Sequence, residues 1–167
     1  VFIDDEFHSY AGCASESIAM SHMPGFEDKL LRLESWCACC MEPITITSRN
    51  FEVQSTSHDG IHMHISMSPH DWNAVDMVKM CDSMNFVLGP DHAERYERQV
   101  CRRGVLVDLD QVKKFVTYTA NARAHDYHWP PQTMMPMPRR ANAAPVTSQT
   151  DNGMPSTCHN QIKATAI

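Results

Sequence analysis

The stretch Ile61-His62-Met63-His64-Ile65-Ser66-Met67 says more about the fold of this chain than any other part of the sequence. Apolar and polar residues alternate strictly along it, and a period of two is typical of a β-strand with one buried face. The apolar residues then face one side of the strand, while His62 and His64 face the other. Two imidazoles at this spacing project in the same direction, so they are positioned to chelate one metal ion.

The segments around this strand predict further elements. Asp59-Gly60 is a turn sequence, and it predicts a hairpin between the histidine strand and the β-prone segments 44–47 and 51–54. Apolar spacing and capping residues predict helices on both sides. The full expectation is strands at 7–12, 44–47, 51–54, 61–67 and 104–107, and helices at 26–41, from about 72 to 88, at 91–103 and from 108 or 110 to 119.

This order of elements predicts an α+β fold. Strands and helices that alternate in this way suggest a ferredoxin-like antiparallel sheet with helices packed on one face. A chain of 167 residues is long enough for one domain with a real core. We expect residues 1–130 to form that domain. Residues 131–167 are rich in Pro, Ser, Thr and Asn without apolar periodicity, which predicts a flexible tail.

Composition also bears on the compartment. No stretch approaches the roughly 20 apolar residues that a membrane span needs, and the first residues, Val1 to Glu6, lack the features of a signal peptide. The chain has seven cysteines, an odd number that does not suit a secreted disulfide framework. We therefore expect reduced thiols, a cytoplasmic location and no membrane partner.

The cysteines crowd together in Cys37-Ala38-Cys39-Cys40. This spacing matches no zinc pattern in which two pairs of ligands are set apart. At the end of the predicted helix 26–41, three such thiols cannot share one face. The sequence therefore predicts packed, chemically inert thiols here.

Charge is distributed unevenly along the chain. The formal net charge is −6, yet residues 95–140 hold nine basic and four acidic side chains. Such asymmetry can create a basic face that suits nucleic acid. A solvated surface of mixed charge is the alternative, and the sequence leaves both open.

The histidine strand and its neighbours resemble the central motif of single-tyrosine HUH transposases, including their REP-associated relatives. Residues 59–69 are similar to that family's His-hydrophobe-His strand and its Pro-containing loop, and a helix is predicted next. Phe7-His8 looks like the family's aromatic-His pair in the first strand. Residues 107–118 resemble the helix that carries the nucleophilic tyrosine. One register places Phe115 at the nucleophile position and another places Tyr118 there.

The resemblance implies metal-dependent cleavage and rejoining of single-stranded DNA, hairpin DNA included, through a phosphotyrosine intermediate. Tyr118 would be the nucleophile, and His62, His64 and Asn121 would hold Mg²⁺ or Mn²⁺ beside the phosphate. A homodimer is a further implication. The DNA backbone would contact the basic residues Arg95, Arg98, Arg102, Arg103, Lys113, Lys114 and Arg123.

Two other classes of protein remain open. One is a metalloprotein that uses His62 and His64 for Zn²⁺ or Cu²⁺ and does not act on DNA. The other is a structural or interaction protein without catalysis, in which the Pro-rich tail makes the contacts. The basic segment favours the DNA-binding hypothesis over both.

Overall fold

The computed structural model describes residues 1–23, 25–50, 52–67 and 77–126. Within these ranges the strands are β1 (Phe2–Ile3), β2 (Glu6–Phe7), β3 (Leu31–Trp36), β4 (Pro43–Arg49), β5 (Glu52–Thr56), β6 (Ile61–Ile65), β7 (Met84–Leu88) and β8 (Val105–Asp108). The helices are α1 (Ala14–Ala19), α2 (Met77–Asp82), α3 (Gly89–Val100) and α4 (Leu109–Asp126), with a 3-10 turn at Met20–His22.

The strands form two antiparallel sheets. The larger has the order β2-β1-β3-β4-β5, and the smaller has the order β7-β6-β8. The α+β class, with antiparallel strands and packed helices, is therefore confirmed. The histidine strand β6 lies at the centre of the smaller sheet, so its backbone bonds to a neighbour on each side.

The core joins the two sheets and the helices. Leu33 and Ile46 are directly paired across β3 and β4, and both are buried. Met63 of β6 is fully buried, as is Val112 of α4. Burial of such side chains contributes about 1.5–3 kcal/mol each before the entropy of ordering is counted, so these contacts fix how the helices sit on the sheets.

The predicted helix 26–41 is wrong, because this segment forms β3 and a following turn. Leu31 and Leu33 alternate with Arg32 and Glu34, and the two leucines are buried as one face of a strand. The helical spacing of Phe26, Leu30 and Leu33 was coincidental. Pairing with β1 and β4 decides the strand, and such long-range pairing leaves little trace in a local pattern.

Two further predictions need correction. Residues 84–88 form strand β7 rather than the end of a helix, because they pair with β6 along its whole length. The hairpin predicted at Asp59-Gly60 is also wrong, since β5 pairs with β4 in the other sheet. The predicted first strand at 7–12 is replaced by the short β1–β2 pair.

Other elements are confirmed: β4, β5, β6, β8, α3 and α4 lie close to their predicted positions, and a helix does precede β7. Residue 51, residues 68–76 and the predicted tail at 131–167 lie outside the described residues. The domain boundary at residue 130 therefore stays a prediction. No helix among the described residues is long and apolar enough to cross a membrane.

The helices determine where functional side chains meet. α3 packs against β6 and β7, whereas α4 packs against β6 and β8. α1 packs against both α4 and β7. The start of α1 therefore lies near the end of α2, which leads directly into β7.

Candidate active site of two thiols and a carboxylate

Three potential metal-binding side chains meet where α1 begins and α2 ends. They are Cys13, Glu16 and Cys81, whose ligand atoms all lie within 4.8 Å of one another. Cys13 and Cys81 are half-buried and Glu16 is exposed. The cluster is therefore open to a small molecule from solvent while its sulfur atoms are partly shielded from water.

The start of α1 positions Cys13 and Glu16. Cys13 precedes the helix in an extended conformation, and its carbonyl accepts the first helical hydrogen bond from Ser17 N at 3.1 Å. Glu16 comes three residues later, so its side chain lies on the same side of the first turn. Its Oε2 accepts a hydrogen bond from the backbone N–H of Gly12 at 2.5 Å, which turns the carboxylate back towards Cys13.

Cys81 reaches the cluster from a distant part of the chain. It lies in the last turn of α2, which ends where Ser83 N donates to Met80 O at 3.1 Å. Ser83 O in turn accepts from Ser66 N at 2.9 Å, so the end of α2 is held against the end of β6. The second thiol is thus supplied by tertiary structure.

Gly12 leaves room for the cluster. A Cβ atom on this residue would lie 2.8 Å from Glu16 Oε2 and 3.6 Å from Cys81 Sγ. The first distance is shorter than a normal nonbonded contact. The absence of a side chain at position 12 therefore lets the carboxylate and the second thiol approach each other.

The surroundings keep Cys81 protonated. Burial, together with the neighbouring Cys13, Glu16 and Asp82, raises the pKa of the Cys81 thiol to about 11, and burial is the largest of these causes. A thiol with this pKa carries its proton at neutral pH and releases it when a cation binds the sulfur. Cys13 Sγ lies 3.3 Å from Ser15 Oγ, whose hydroxyl donates to Met84 Sδ at 3.2 Å.

This donor set selects among metals. Two sulfur atoms and one carboxylate suit soft, polarisable cations, whereas Mg²⁺ and Mn²⁺ prefer oxygen ligands. The expectation of divalent metal binding is thus supported in its general form. The specific choice of Mg²⁺ or Mn²⁺ has no support from this cluster.

The structure gives the two histidines of β6 other contacts. His64 is fully buried, and its Nε2 donates to Glu97 Oε1 at 3.0 Å. His62 Nδ1 donates to Gly60 O at 2.6 Å. Within the described residues, neither belongs to a group of three His, Cys, Asp or Glu side chains close enough to share an ion. The metal-ligand role predicted for His62, His64 and Asn121 stays a prediction.

The remaining predicted site residues lie on α3, on α4 and between them. Tyr118, Asn121 and Arg123 are part of α4, in which Phe115 is a buried core residue. Lys113 is half-buried and forms an ion pair with Glu52. The other predicted phosphate contacts are all exposed: Arg95, Arg98, Arg102, Arg103 and Lys114.

None of the three residues of the cluster is among the site residues predicted from the sequence. Cys13-x-x-Glu16 has the spacing of neighbours on a first helical turn, and this local signal could have been found. Cys81 gave no signal, because nothing in its own segment indicates that α2 ends beside α1.

Comparisons with known proteins give this geometry a context. A family model described as "MerB: Alkylmercury lyase" matches residues 1–120. A crystal structure of the mercury-bound form of MerB2 shares 19% sequence identity and a TM-score of 0.56, over 67% of this chain and 52% of that one. The chain thus spans about half the length of that protein, and at this identity the likeness shows a shared fold. No curated protein matches the chain.

The resemblance to HUH transposases is wrong, because the family that matches most of the chain is a different one. The expected cleavage of single-stranded DNA and the expected DNA partner are therefore wrong as well. The His-x-His pattern is a weak indicator of that family, because two histidines two residues apart arise easily in a histidine-rich chain. In this fold the pattern places a histidine in the core against Glu97.

Proposed function

This chain belongs to the alkylmercury lyase family, and on that premise we propose that it cleaves carbon–mercury bonds at Cys13, Glu16 and Cys81. The single observation that carries the proposal is the convergence of two thiols and a carboxylate within 4.8 Å. Organomercury compounds, R–Hg–X, are the proposed substrate class, with mercury as substrate rather than resident cofactor.

The two thiols would capture mercury in succession. Mercury(II) is a large, polarisable d¹⁰ ion, so it prefers thiolate sulfur to oxygen or nitrogen. Cys13 would displace X from R–Hg–X, forming a sulfur–mercury bond and releasing HX. Cys81 lies close enough to add as a second sulfur ligand to the same ion, and binding would release its proton even though its free pKa is raised to about 11.

Glu16 would transfer that proton. Its carboxylate lies within 4.8 Å of both sulfur atoms, so it can accept the proton from Cys81 and donate it to the carbon attached to mercury. The electron pair of the carbon–mercury bond then forms the new carbon–hydrogen bond. The products are R–H and mercury(II) held by two thiolates, and mercury keeps its oxidation state throughout.

Capture of mercury without cleavage is a second candidate function. It is favoured by one observation, that the solved structure which this chain resembles is a mercury-bound form. It also agrees with the alternative hypothesis of a metal-binding protein that does not act on DNA. The two candidates differ in one product, because only a lyase releases the hydrocarbon R–H.

The decisive experiment incubates the purified full chain with phenylmercury acetate and an excess of small thiol, and measures benzene and mercury(II). We expect benzene to form catalytically, and we expect Cys13→Ser and Cys81→Ser to abolish it. Glu16→Gln should still bind phenylmercury but release benzene at least about 100-fold more slowly, since it cannot relay a proton. Cys39→Ser is the matched control and should behave as wild type.

Each possible failure has a distinct meaning. Stoichiometric phenylmercury binding without benzene supports the capture function and contradicts cleavage. Wild-type rates in Cys13→Ser or Cys81→Ser would place the chemistry elsewhere.

A cytoplasmic location is the remaining part of the proposal. The proposed reaction needs reduced sulfur at Cys13 and Cys81, and both are free thiols, a state that a reducing compartment would maintain. Cys101 is disulfide-bonded, so the expectation of reduced thiols does not hold for every cysteine.

A further inference from the structure

A second group of potential metal ligands lies where the turn after β3 meets the first turn of α3. Cys37 Sγ and Cys40 Sγ lie 3.4 Å and 3.5 Å from the same atom, His92 Nδ1. The three ligand atoms all lie within 4.8 Å of one another. None of these residues takes part in the proposed carbon–mercury cleavage.

A tight turn brings the two thiols together. Cys37 N donates to Glu42 O, and Met41 N donates back to Cys37 O, each at 2.8 Å. Met41 has a φ of 65°, in the left-handed region that lets the chain reverse direction. The turn is not helical. Cys37 and Cys40 can therefore face the same point, which they could not do in the predicted helix 26–41.

Neighbouring elements hold the turn in place. Ala38 N donates to Phe86 O of β7 at 2.9 Å, and Gln99 Nε2 of α3 donates to Cys39 O at 3.1 Å. Cys37 is fully buried, whereas Cys40 is exposed and His92 is half-buried. The site is therefore built into the fold and remains accessible from one side.

The spacing of the ligand atoms fits a tetrahedral ion. With zinc–sulfur bonds of about 2.3 Å and zinc–nitrogen bonds of about 2.0–2.1 Å, a tetrahedral angle separates sulfur from nitrogen by about 3.6 Å. The observed distances of 3.4 Å and 3.5 Å are close to this value. Nδ1 has a single lone pair or a single hydrogen, so it cannot form two full hydrogen bonds to both thiols, whereas one ion can bind all three atoms.

The helix and the turn supply complementary ligands. His92 lies in the first turn of α3, a 12-residue helix, so its ring is carried by a regular element that begins beside the turn. Two thiolates and one imidazole form a ligand set that zinc accepts with a fourth position left open.

We propose that Cys37, Cys40 and His92 bind a zinc ion, with the fourth coordination position open to water or to another ligand. The cation would link the end of β3 to the start of α3. It would thereby stabilise the contact between the two sheets, because Ala38 in the same turn is bonded to β7. The proposal does not depend on lyase activity.

The test uses the full chain carrying Cys13→Ser and Cys81→Ser, so that the first cluster cannot contribute. Co²⁺ is the spectroscopic probe, because tetrahedral Co²⁺ with thiolate ligands has strong visible and near-ultraviolet bands. We expect one equivalent of Co²⁺ to bind, and one equivalent of Zn²⁺ to displace it. Zn²⁺ should also raise the melting temperature of this variant.

Added substitutions locate the site. Cys40→Ser and His92→Gln should each weaken Co²⁺ binding at least about tenfold and remove the thermal stabilisation by Zn²⁺. Both residues are at least partly accessible, and circular dichroism would verify that the variants fold. Cys39→Ser lies in the same turn but outside the ligand set, and it should bind Co²⁺ like its parent.

The proposal is overturned if the parent variant shows no tetrahedral Co²⁺ spectrum. It is equally overturned if Cys40→Ser and His92→Gln bind Co²⁺ as tightly as Cys39→Ser does. Because metal binding is measured without organomercury, a failure here is separate from a failure of the lyase reaction.

Discussion

Nε2 of His64 and Oε1 of Glu97 lie 3.0 Å apart, joining the central strand of the smaller sheet to α3. Both residues are buried, and Gly104 N donates to the same carboxylate oxygen at 2.9 Å. Tyr96 packs edge-on against the His64 ring, with ring centroids 5.3 Å apart. His64 therefore belongs to a buried polar network, which accounts for a polar side chain on the face of β6 that α3 covers.

Replacing Glu97 should destabilise the fold through this network. Glu97→Ala leaves His64 Nε2 and Gly104 N without this acceptor, and each lost buried hydrogen bond costs about 1–3 kcal/mol. We expect the free energy of unfolding to fall by roughly 2–4 kcal/mol in urea titrations. Glu94→Ala, at an exposed position of the same helix, is the control and should change it by less than about 0.5 kcal/mol. Equal effects of the two substitutions would show that the network contributes little.

Gly104→Ala should destabilise the fold for a steric reason. A Cβ atom at this position would lie 2.4 Å from His64 Nε2 and 2.6 Å from the backbone oxygen of Ile65. The gain of about 0.4–1 kcal/mol that alanine brings by restricting the unfolded chain is smaller than the cost of such overlap. We expect a loss of at least about 2 kcal/mol in urea titrations. Unchanged or increased stability would mean that β6 and the loop before β8 can move apart freely.

Gly12→Ala should impair catalysis more than stability. The new Cβ would lie 2.8 Å from Glu16 Oε2, the far end of a flexible side chain that can turn away. The free energy of unfolding should therefore change by less than about 1 kcal/mol, while displacement of the proton donor lowers the rate of benzene release about tenfold or more. Kinetics with phenylmercury, measured beside urea titrations, test both parts. A wild-type rate of benzene release in this variant would show that catalysis does not depend on the position of Glu16.

Cys81 should make stability depend on pH in the alkaline range. Its pKa rises from 9.0 to about 11 in the folded chain, and burial is the largest cause of this rise. The folded chain then binds this proton more tightly than the unfolded chain. Its contribution to stability is complete below about pH 9 and is lost as the pH rises through about 11. Urea titrations across this range should show the decline, and Cys81→Ser should reduce it.

Thiolate absorbance and alkylation rates provide a direct measurement of the same pKa. In Cys13→Ser, the apparent pKa of Cys81 should fall towards 9.0 without reaching it, because the neighbouring thiol is removed while burial remains. An unchanged pKa in that variant would show that Cys13 and Cys81 do not interact.

The histidine strand shows what local pattern can and cannot establish. The alternation from Ile61 to Ile65 correctly predicted a strand with its histidines on one face. The partners of that face depend on α3, because Glu97, which bonds to His64, lies 33 positions from it in the sequence. A metal site and a buried hydrogen bond are equally compatible with the pattern, and the DNA cleavage inferred from it is wrong because the chain matches a different family.

The cysteines also show the difference between what the local sequence predicts and what the tertiary structure decides. The sequence predicts inert thiols at Cys37 and Cys40, because their sulfur atoms would diverge in the predicted helix 26–41. The turn after β3 instead directs both towards His92. Cys13 and Cys81 could not be paired from the sequence, because their contact depends on how α1 packs against β7.

The sequence by itself determined the α+β class, the strands β4, β6 and β8 and the helices α3 and α4, because these follow from the local spacing of apolar side chains. Only the tertiary structure decided the division into two sheets, the burial of His64 and the meeting of Cys13, Glu16 and Cys81. Backbone periodicity is a property of neighbouring residues. A reactive site is a property of side chains from distant segments, and long-range packing alone brings those together.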